Sequence, residues 1–314
     1  MTVVVADAAD PRLHDYRSLN DQAFRRRYEG DELFIAEGFV AIDRLIESGH
    51  AIRSVLLAPS RVERFRTHAD TLDGRGIPVF VAERDVIADV VGFDLHRGVI
   101  ACADRRPSVS LDELLDGANR IAVLEGLNDN ENLGAIARAA KAFRIDGILI
   151  DPTCTDPYSR RTVRVSMGEV LTMPIARATP QAWPSVLTEM SAAGFEVWAM
   201  TPATAAEDLW AVDIPDRVAV LLGAEGPGLT RASLAAADRH IRSTSAKPLQ
   251  SSSPPSPVRN ETEGSDPSVS FAENDDGPQQ SWGPSWEFVR IRRFSRWTRK
   301  LPHAVRGLPR GRAW

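Results

Sequence analysis

Short apolar runs alternate with amphipathic segments from about residue 30 to residue 103. The segment GFVAIDRLIES has apolar residues at helical spacing and predicts a helix. The runs SVLLAP, PVFVA and GVIACA are short and apolar, and each predicts a strand. The pattern therefore predicts a small α/β domain in residues 1–105.

A second series of apolar runs begins at residue 121. Continuous runs separated by helices indicate a parallel sheet that is covered on both faces. Helices are predicted at NLGAIARAAKAF, around residues 181–193, and at TRASLAAADRH, which we expect to end near His240. Strands are predicted at IAVLEGL, GILIDP, PIARAT, FEVWAMT and VAVLLGAEG. This series predicts a second α/β domain in residues 119–242, joined to the first by a Pro- and Ser-containing linker at 106–118.

The composition changes abruptly after about Arg242. Ser and Pro and then acidic residues dominate without apolar periodicity, so residues 243–314 are predicted to form a disordered tail. The end of this tail is basic with interspersed aromatic residues. Residues 243–314 hold 11 of the 38 Lys and Arg residues but 7 of the 43 Asp and Glu residues, which leaves a net charge of −9 on the rest of the chain.

The overall composition narrows the class of protein. Hydrophobic residues make up 43% and charged residues 26% of the chain, which is typical of a globular protein. No run approaches the roughly 18 apolar residues of a membrane span, and the N-terminal segment is acidic, so we expect a cytoplasmic protein. Cys102 and Cys154 lack the spacing of a disulfide framework or a zinc site, and we expect both to be small core residues.

Net charge is weak evidence against nucleic-acid binding, because the chain carries only −5 and has local basic clusters. The candidates for RNA contact are Arg25, Arg26 and the adjacent Arg27, with a second cluster of Arg160, Arg161 and Arg164. The same spacing also fits a solvated helix face, so the clusters alone do not decide between the two interpretations.

Three loops that follow predicted strands carry candidate chemistry, since open α/β sheets bind ligands at that edge. Residues 128–134 include five consecutive polar side chains, which is more than one helix cap requires. Residues 156–168 carry the second arginine cluster at a predicted helix start. Residues 222–229 are rich in glycine, which permits close approach to a ligand, and Glu225 favours a cationic or hydroxyl-bearing ligand over a bare phosphate.

Together these loops resemble the motifs of the SpoU (TrmH-like) group of RNA methyltransferases. NENLGAIARAAKAF resembles the first motif, DPYSRRTVRVSMGEV the connecting segment, and VAVLLGAEGPGL the second motif. The segment LFIAEGFVAIDRLIESGHAIRSVLLAP is similar to the L30e-like substrate-binding domain that precedes the catalytic domain in many members. The resemblance covers roughly residues 15–242. The combination of these motifs is specific to the family, although no single motif is.

The resemblance implies a homodimer with a trefoil-knotted, SPOUT-type catalytic domain that uses S-adenosylmethionine to methylate a ribose 2′-hydroxyl in rRNA or tRNA. It implies catalytic roles for Arg138, Asn132 and Glu225. Because arginine stays protonated in proteins, we expect Arg138 to clamp a phosphate and stabilise developing negative charge. The implied cofactor-binding residues are Leu222, Gly223, Glu225, Gly226, Gly228 and Ile241.

The chain departs from the family after Arg242. Family members continue with a third motif, an Ile-Pro-Met-like loop and then Ser-Leu-Asn-Val-Ser, which supplies much of the cofactor pocket and completes the knot. Here ADRHIR is followed by STSAKPLQSSSPP, as in a diverged end or an altered reading frame, and the knot is expected to be incomplete without this motif. The alternative function is therefore a non-catalytic RNA-binding protein, whose basic aromatic tail offers stacking and phosphate contacts.

Two other classes of protein are disfavoured. Neither series has a GxGxxG sequence after its first strand, which argues against a nucleotide-dependent oxidoreductase. The absence of a Walker lysine argues against an NTPase.

Overall fold

Two β-sheets follow one another along the chain in a computed structural model that describes residues 2–21 and 32–243. Strands and helices alternate along most of these residues, which confirms the predicted α/β class. Both sheets belong to a single unit, Met1–Ser243.

The first sheet has the strand order β1–β4–β3–β5–β2 among the described residues. β5 runs antiparallel to both of its neighbours, whereas β4 is parallel to β1 and β3. The strands are β1 (Thr2–Val4), β2 (Leu33–Glu37), β3 (Ile52–Leu57), β4 (Val79–Val81) and β5 (Val99–Asp104). The helices are α1 (Phe39–Ser48), α2 (Val62–Asp73) and α3 (Arg84–Val91), with 3-10 helices at Pro11–Tyr16 and Pro59–Arg61. The predicted helix and strands of this part are confirmed.

The second sheet is parallel at every pairing among the described residues, as predicted. Its strands are β6 (Arg120–Glu125), β7 (Gly147–Ile150), β8 (Ile175–Arg177), β9 (Glu196–Met200), β10 (Glu207–Asp208), β11 (Val218–Gly223) and β12 (Arg239–Arg242). Its helices are α4 (Leu111–Leu115), α5 (Asn130–Ala142), α6 (Arg160–Val165), α7 (Ser185–Ala192) and α8 (Arg231–Ala236), with a 3-10 helix at Glu169–Thr172.

The order in which the chain adds strands to the second sheet reverses between β6 and β11, although the strands stay parallel. The strand order is β10–β12–β9–β11–β6–β7–β8, so the chain moves outward from β6 through β7 to β8 and then crosses to β9 on the other side. β6 and β11 are adjacent, and Glu125 lies opposite Gly223 in their register. The loops that follow these two strands therefore leave the sheet side by side, at the kind of position where open α/β sheets bind ligands.

The last predicted helix is shorter than expected. α8 ends at Ala236, and the next residues form β12 beside β9. The carboxylate of Asp238 accepts hydrogen bonds from the N–H of Val197 (2.7 Å) and from Ser191 Oγ (2.8 Å), which holds the chain alongside β9. The prediction that the helix continues to near His240 is wrong, because pairing with a distant strand overrides the local helical pattern.

One apolar cluster is shared by the two sheets. It includes Phe34 and Ile42 from the first series and Leu133 and Ile150 from the second. Cys154 lies in the same cluster and Cys102 in a neighbouring one, and both are buried and free, which confirms that they are core residues. The domain boundaries at 105 and 119 stay predictions, since side chains from both sides of them pack into one core.

The turn before the 3-10 helix at Glu169–Thr172 packs against α1. Gly168 has a φ of +82°, and a Cβ at this position would lie 2.8 Å from the Cβ of Arg44 and 2.9 Å from the Cα of Ala41. Arg44 Nε also donates to Glu169 Oε1 at 3.0 Å. The backbone of this turn therefore packs directly against the backbone of α1, with no room for a side chain between them.

Some of the predictions fall on residues outside the described part of the chain. These are Arg25 and Arg26, the missing third motif, and the predicted disorder of the tail beyond Ser243. Within residues 2–21 and 32–243, no helix has both the length and the apolar character needed to cross a membrane.

Replacing Gly168 with alanine tests the packing of this turn. We expect Gly168→Ala to lower the free energy of unfolding by about 2–5 kcal/mol, from left-handed backbone strain and from the clash with α1. Gly92→Ala is the matched control, since Gly92 has a φ of +84° with no atom within 4 Å of the added Cβ. It should lose only about 1–2 kcal/mol in urea unfolding. Equal losses would contradict the close packing of the turn on α1.

Candidate active site at the edge of the parallel sheet

The polar loop after β6 is held by its own side chains. Asp129 caps α5 by accepting the N–H of Glu131 at 2.7 Å, so the simple helix-cap interpretation is correct for this residue. Asn130 Oδ1 accepts hydrogen bonds from Thr155 Oγ1 (2.5 Å) and Thr162 Oγ1 (3.3 Å), which joins the loop to the segment after β7. Two of the five polar residues therefore shape the loop, and Asn132 faces the neighbouring loop.

Gly134 allows α5 and α6 to pack closely. A Cβ at this position would lie 2.9 Å from the carbonyl oxygen of Thr162 and from the Cβ of Val165. This close approach fixes the first turns of α5, on which Asn132 lies.

Asn132 and Glu225 come together from the two loops. Asn132 Nδ2 lies 3.5 Å from Glu225 Oε2, at the long limit of a hydrogen bond. Asn132 is half-buried and Glu225 is exposed. An amide and a carboxylate separated by 93 residues in sequence thus face one space at the edge of the sheet.

The glycine-rich loop after β11 is a tight turn with open space beside it. Gly228 N–H donates to the carbonyl of Ala224 at 3.0 Å, and Gly223 lies so close to Gly228 that an added Cβ would be 2.4 Å from its carbonyl carbon. Gly226 and Gly228 have φ values of +88° and +69°, and a Cβ on either would meet no atom within 4 Å. The loop therefore leaves room for a ligand to approach its backbone closely.

Two other predicted cofactor residues have buried or half-buried side chains. Ile241 is fully buried on β12 in a cluster with Trp198 and Val218. Leu222 is half-buried against the core shared by the two sheets. Their role in binding a cofactor stays a prediction. For Ile241 the contact would have to come from its backbone, since its side chain is buried.

A buried carboxylate that the sequence interpretation missed joins three loops at this edge. Glu125 is 3% exposed at the end of β6. Its Oε1 accepts hydrogen bonds from Trp183 Nε1 (3.1 Å), Thr230 Oγ1 (2.8 Å) and Ser233 Oγ (2.6 Å), and its Oε2 accepts the N–H of Thr230 at 3.0 Å. These donors come from the segment after β8 and from the start of α8. Glu125 thereby ties the start of α8, which follows the glycine-rich loop, to the end of β6 and to the segment after β8.

The loop after β7 is held in a similar way by Arg177, which the sequence interpretation also missed. Its guanidinium donates to the carbonyl oxygens of Cys154 (2.8 Å) and Thr155 (3.0 Å). Burial raises the pKa of the Cys154 thiol to about 12, so this cysteine is a structural residue and not a nucleophile.

Arg138 lies on a different face of α5 from Asn132. They are six positions apart, which places their side chains about 120° apart around the helix and about 9 Å apart along it. Arg138 is exposed and lines a groove of about 510 Å³ with Arg44, Glu47, Lys141, Ala142, Glu169 and Thr172. The predicted catalytic set is therefore only partly assembled within the described residues of one chain.

The second arginine cluster is engaged in ion pairs. Arg160 Nη1 lies 3.2 Å and Arg164 Nη1 3.8 Å from the buried carboxylate of Glu37 on β2, and Arg161 pairs with Glu131. These contacts tie α6 to the first sheet and to α5. An RNA-binding role for the three arginines stays a prediction. To bind a phosphate, each arginine would have to contact it beside its carboxylate partner or release that carboxylate.

Known proteins with similar sequences belong to the family that the motifs at this edge of the sheet resemble. The model of the SpoU rRNA Methylase family matches residues 119–251. A protein of Mycobacterium tuberculosis named an uncharacterized tRNA/rRNA methyltransferase is 41% identical over 244 residues, which cover 76% of this chain and 82% of the relative.

Two further relatives have more specific names. The 23S rRNA (guanosine-2′-O-)-methyltransferase RlmB of Ralstonia nicotianae is 29% identical over 201 residues, covering 62% of this chain and 79% of that protein. A crystal structure of an AdoMet-bound rRNA methyltransferase from Sinorhizobium meliloti matches with a TM-score of 0.64 and 28% identity, over 80% of this chain and 92% of that chain. With its parallel sheet, its two motif loops side by side and these relatives, the chain belongs to the SpoU rRNA methylase family.

Proposed function

We propose that this chain transfers a methyl group from S-adenosylmethionine to a ribose 2′-hydroxyl of rRNA or tRNA. The observation that carries the proposal is the meeting of Asn132 and Glu225 at the reversal point of the parallel sheet, in a member of the SpoU family. The names of the relatives supply the chemistry, since one is a guanosine-2′-O-methyltransferase of 23S rRNA and another was crystallised with AdoMet. The expected compartment is that of the RNA substrate, the cytoplasm.

The residues of the glycine-rich loop fit S-adenosylmethionine. The open space beside Gly226 and Gly228 would accept a flat or extended ligand against the backbone. Glu225 supplies a carboxylate that suits a sulfonium cation or ribose hydroxyls, and Leu222 adds an apolar surface. We therefore assign cofactor binding to Leu222, Gly223, Glu225, Gly226 and Gly228, with Ile241 supporting the site from β12.

The chain contributes orientation and electrostatics to the transfer. S-adenosylmethionine supplies an electrophilic methyl group when bound. Asn132 and Glu225 orient the groups around it, and the guanidinium of Arg138 clamps the RNA phosphate next to the reacting ribose. A fixed positive charge beside the hydroxyl stabilises the negative charge that develops on its oxygen as its proton passes to solvent water.

A homodimer would bring Arg138 to the Asn132–Glu225 pair. The exposed face of α5 carries Ala135, Ala139 and Ala142 around Arg138, and small side chains let a second helix approach closely. Arg138 also makes no ion pair among the described residues, since Glu47 and Glu169, which line the same groove, both pair with Arg44. We propose that this face meets a second copy of the chain, so that each site combines Asn132 and Glu225 of one protomer with the arginine of the other.

The missing third motif favours one alternative function. A chain that keeps both sheets but has lost part of the cofactor pocket would bind RNA without methylating it. Cofactor affinity therefore separates the two functions.

Calorimetric titration of the full chain with S-adenosylmethionine tests the cofactor site. We expect saturable binding at one site per protomer, and Gly226→Ala should weaken it by at least about tenfold, since the added Cβ occupies the open space by the loop. Gly76→Ala is the matched control, because Gly76 has a similar φ of +71° with equally open surroundings. Its affinity should equal that of the unmodified chain. Absence of binding to the folded protein would refute the enzyme and favour the RNA-binding alternative.

Mixed protomers test whether the site is shared. Arg138→Ala and Glu225→Ala should each abolish methylation of unmodified rRNA when present in both protomers. A heterodimer of the two variants, purified with two different tags, should regain about half of the normal activity, because one of its two sites is intact. An inactive heterodimer would contradict the shared site.

A further inference from the structure

A basic cavity opens beside the N-terminus of α1, away from the Asn132–Glu225 pair. Its volume is about 250 Å³. Three arginines line it, Arg61, Arg64 and Arg97, together with the backbone of Gly38 and the side chains of Val40 and Met167. We propose that this α1 cavity binds a phosphodiester group of the substrate RNA, a proposal that rests on the RNA methyltransferase function above.

The three arginines have no acidic partner among the described residues. Arg61 and Arg97 make no ion pair there, and the Nε of Arg61 is buried without a hydrogen-bond partner. Arg64 lies over the ring of Phe39, with its Cζ 4.0 Å from the ring centroid. Other arginines of the unit, such as Arg160 and Arg161, pair with carboxylates. A cluster of unpaired guanidinium groups around one cavity indicates an anion as their common partner.

Two glycines hold arginine side chains in place at the cavity. A Cβ on Gly38 would lie 2.9 Å from Arg97 Cδ, and a Cβ on Gly98 would lie 3.0 Å from Arg61 Cγ. Both glycines have positive φ values, +91° and +66°. The absence of side chains here lets each arginine lie flat across the backbone, so the guanidinium groups are oriented before a ligand arrives.

The local electrostatics are unfavourable without an anion. The N-terminus of a helix carries partial positive charge, and cations near it lower helix stability. α1 begins after Gly38 with no side-chain cap and no acidic residue in its first turn, and Arg64 and Arg97 lie beside it. An anionic group in the cavity would satisfy both the helix terminus and the arginines.

The surroundings of the cavity favour RNA as the source of this anion. Val40 and Met167 are 43% and 37% exposed at its rim, and they offer an apolar surface for a base or ribose next to the phosphate. The same helix, α1, also borders the groove that contains Arg138 and Lys141, where the two carboxylates, Glu47 and Glu169, are paired with Arg44. A strand that passes Arg138 at the reacting ribose can thus reach the α1 cavity along the same helix.

Salt-dependent RNA binding by the full chain tests the proposal. The probe is an unmodified 23S rRNA transcript, titrated in KCl from about 0.05 to 0.3 M. Arg61→Gln and Arg97→Gln should each weaken binding on the order of fivefold and reduce the slope of log K against log[KCl] by about one. Arg66→Gln is the control, since Arg66 lies on α2, pairs with Glu63 and is outside the cavity. It should change neither quantity.

The possible results distinguish failure of the cavity proposal from failure of the proposed methyltransferase function. Affinities and slopes of Arg61→Gln and Arg97→Gln equal to those of the control, in a chain that methylates RNA, would overturn the cavity alone. A loss of affinity without a change in slope would also overturn it, because a phosphate contact must release counterions. A chain that binds S-adenosylmethionine but no RNA would overturn both proposals. Arg97 is exposed, so Arg97→Gln retains the test if Arg61→Gln unfolds.

Discussion

The buried carboxylate of Glu125 is the interaction on which the geometry of the active site most depends. A carboxylate removed from water must be compensated, and here four hydrogen bonds from Trp183, Thr230 and Ser233 do so, with no basic side chain among these donors. Because these donors come from two distant segments, the carboxylate fixes the end of β6, the segment after β8 and the start of α8 in one arrangement. The glycine-rich loop lies between β11, which pairs with β6 as far as Gly223 and Glu125, and Thr230, which the Glu125 carboxylate holds. Its shape, and therefore the position of Glu225, follows from that constraint.

Much of this arrangement could be predicted from the sequence, because the signals are local. Continuous apolar runs identify the strands, and the parallel sheet follows from their alternation with helices. The polar and glycine-rich loops were correctly placed at strand ends, where adjacency of β6 and β11 brings Asn132 to Glu225. Glu125 was missed because it ends the apolar run IAVLEGL and nothing nearby in sequence marks it as buried and bonded. Likewise, the strand at Arg239–Arg242 depends on β9, and its residues alone extend the preceding helix pattern.

The arginines show why charge in a sequence is hard to interpret. The cluster at Arg160, Arg161 and Arg164 stands out in the sequence, but in the fold it pairs with Glu37 and Glu131. Arg61 and Arg97 are far apart in the sequence and converge at the α1 cavity. Whether an arginine is free to bind an anion depends on which carboxylates the fold brings to it. Arg138 illustrates the same point, since its position on α5 turns it away from Asn132 and toward an exposed face.

Nucleoside analysis after methyl transfer is the most direct test of the central claim. The full chain would be incubated with unmodified rRNA and S-adenosylmethionine carrying a labelled methyl group, and the RNA would then be digested to nucleosides. The account predicts that the label appears in a 2′-O-methylated nucleoside and that Glu225→Ala removes it. Label on a base, or no label in RNA from a chain that is folded and binds S-adenosylmethionine, would contradict ribose methylation at this site.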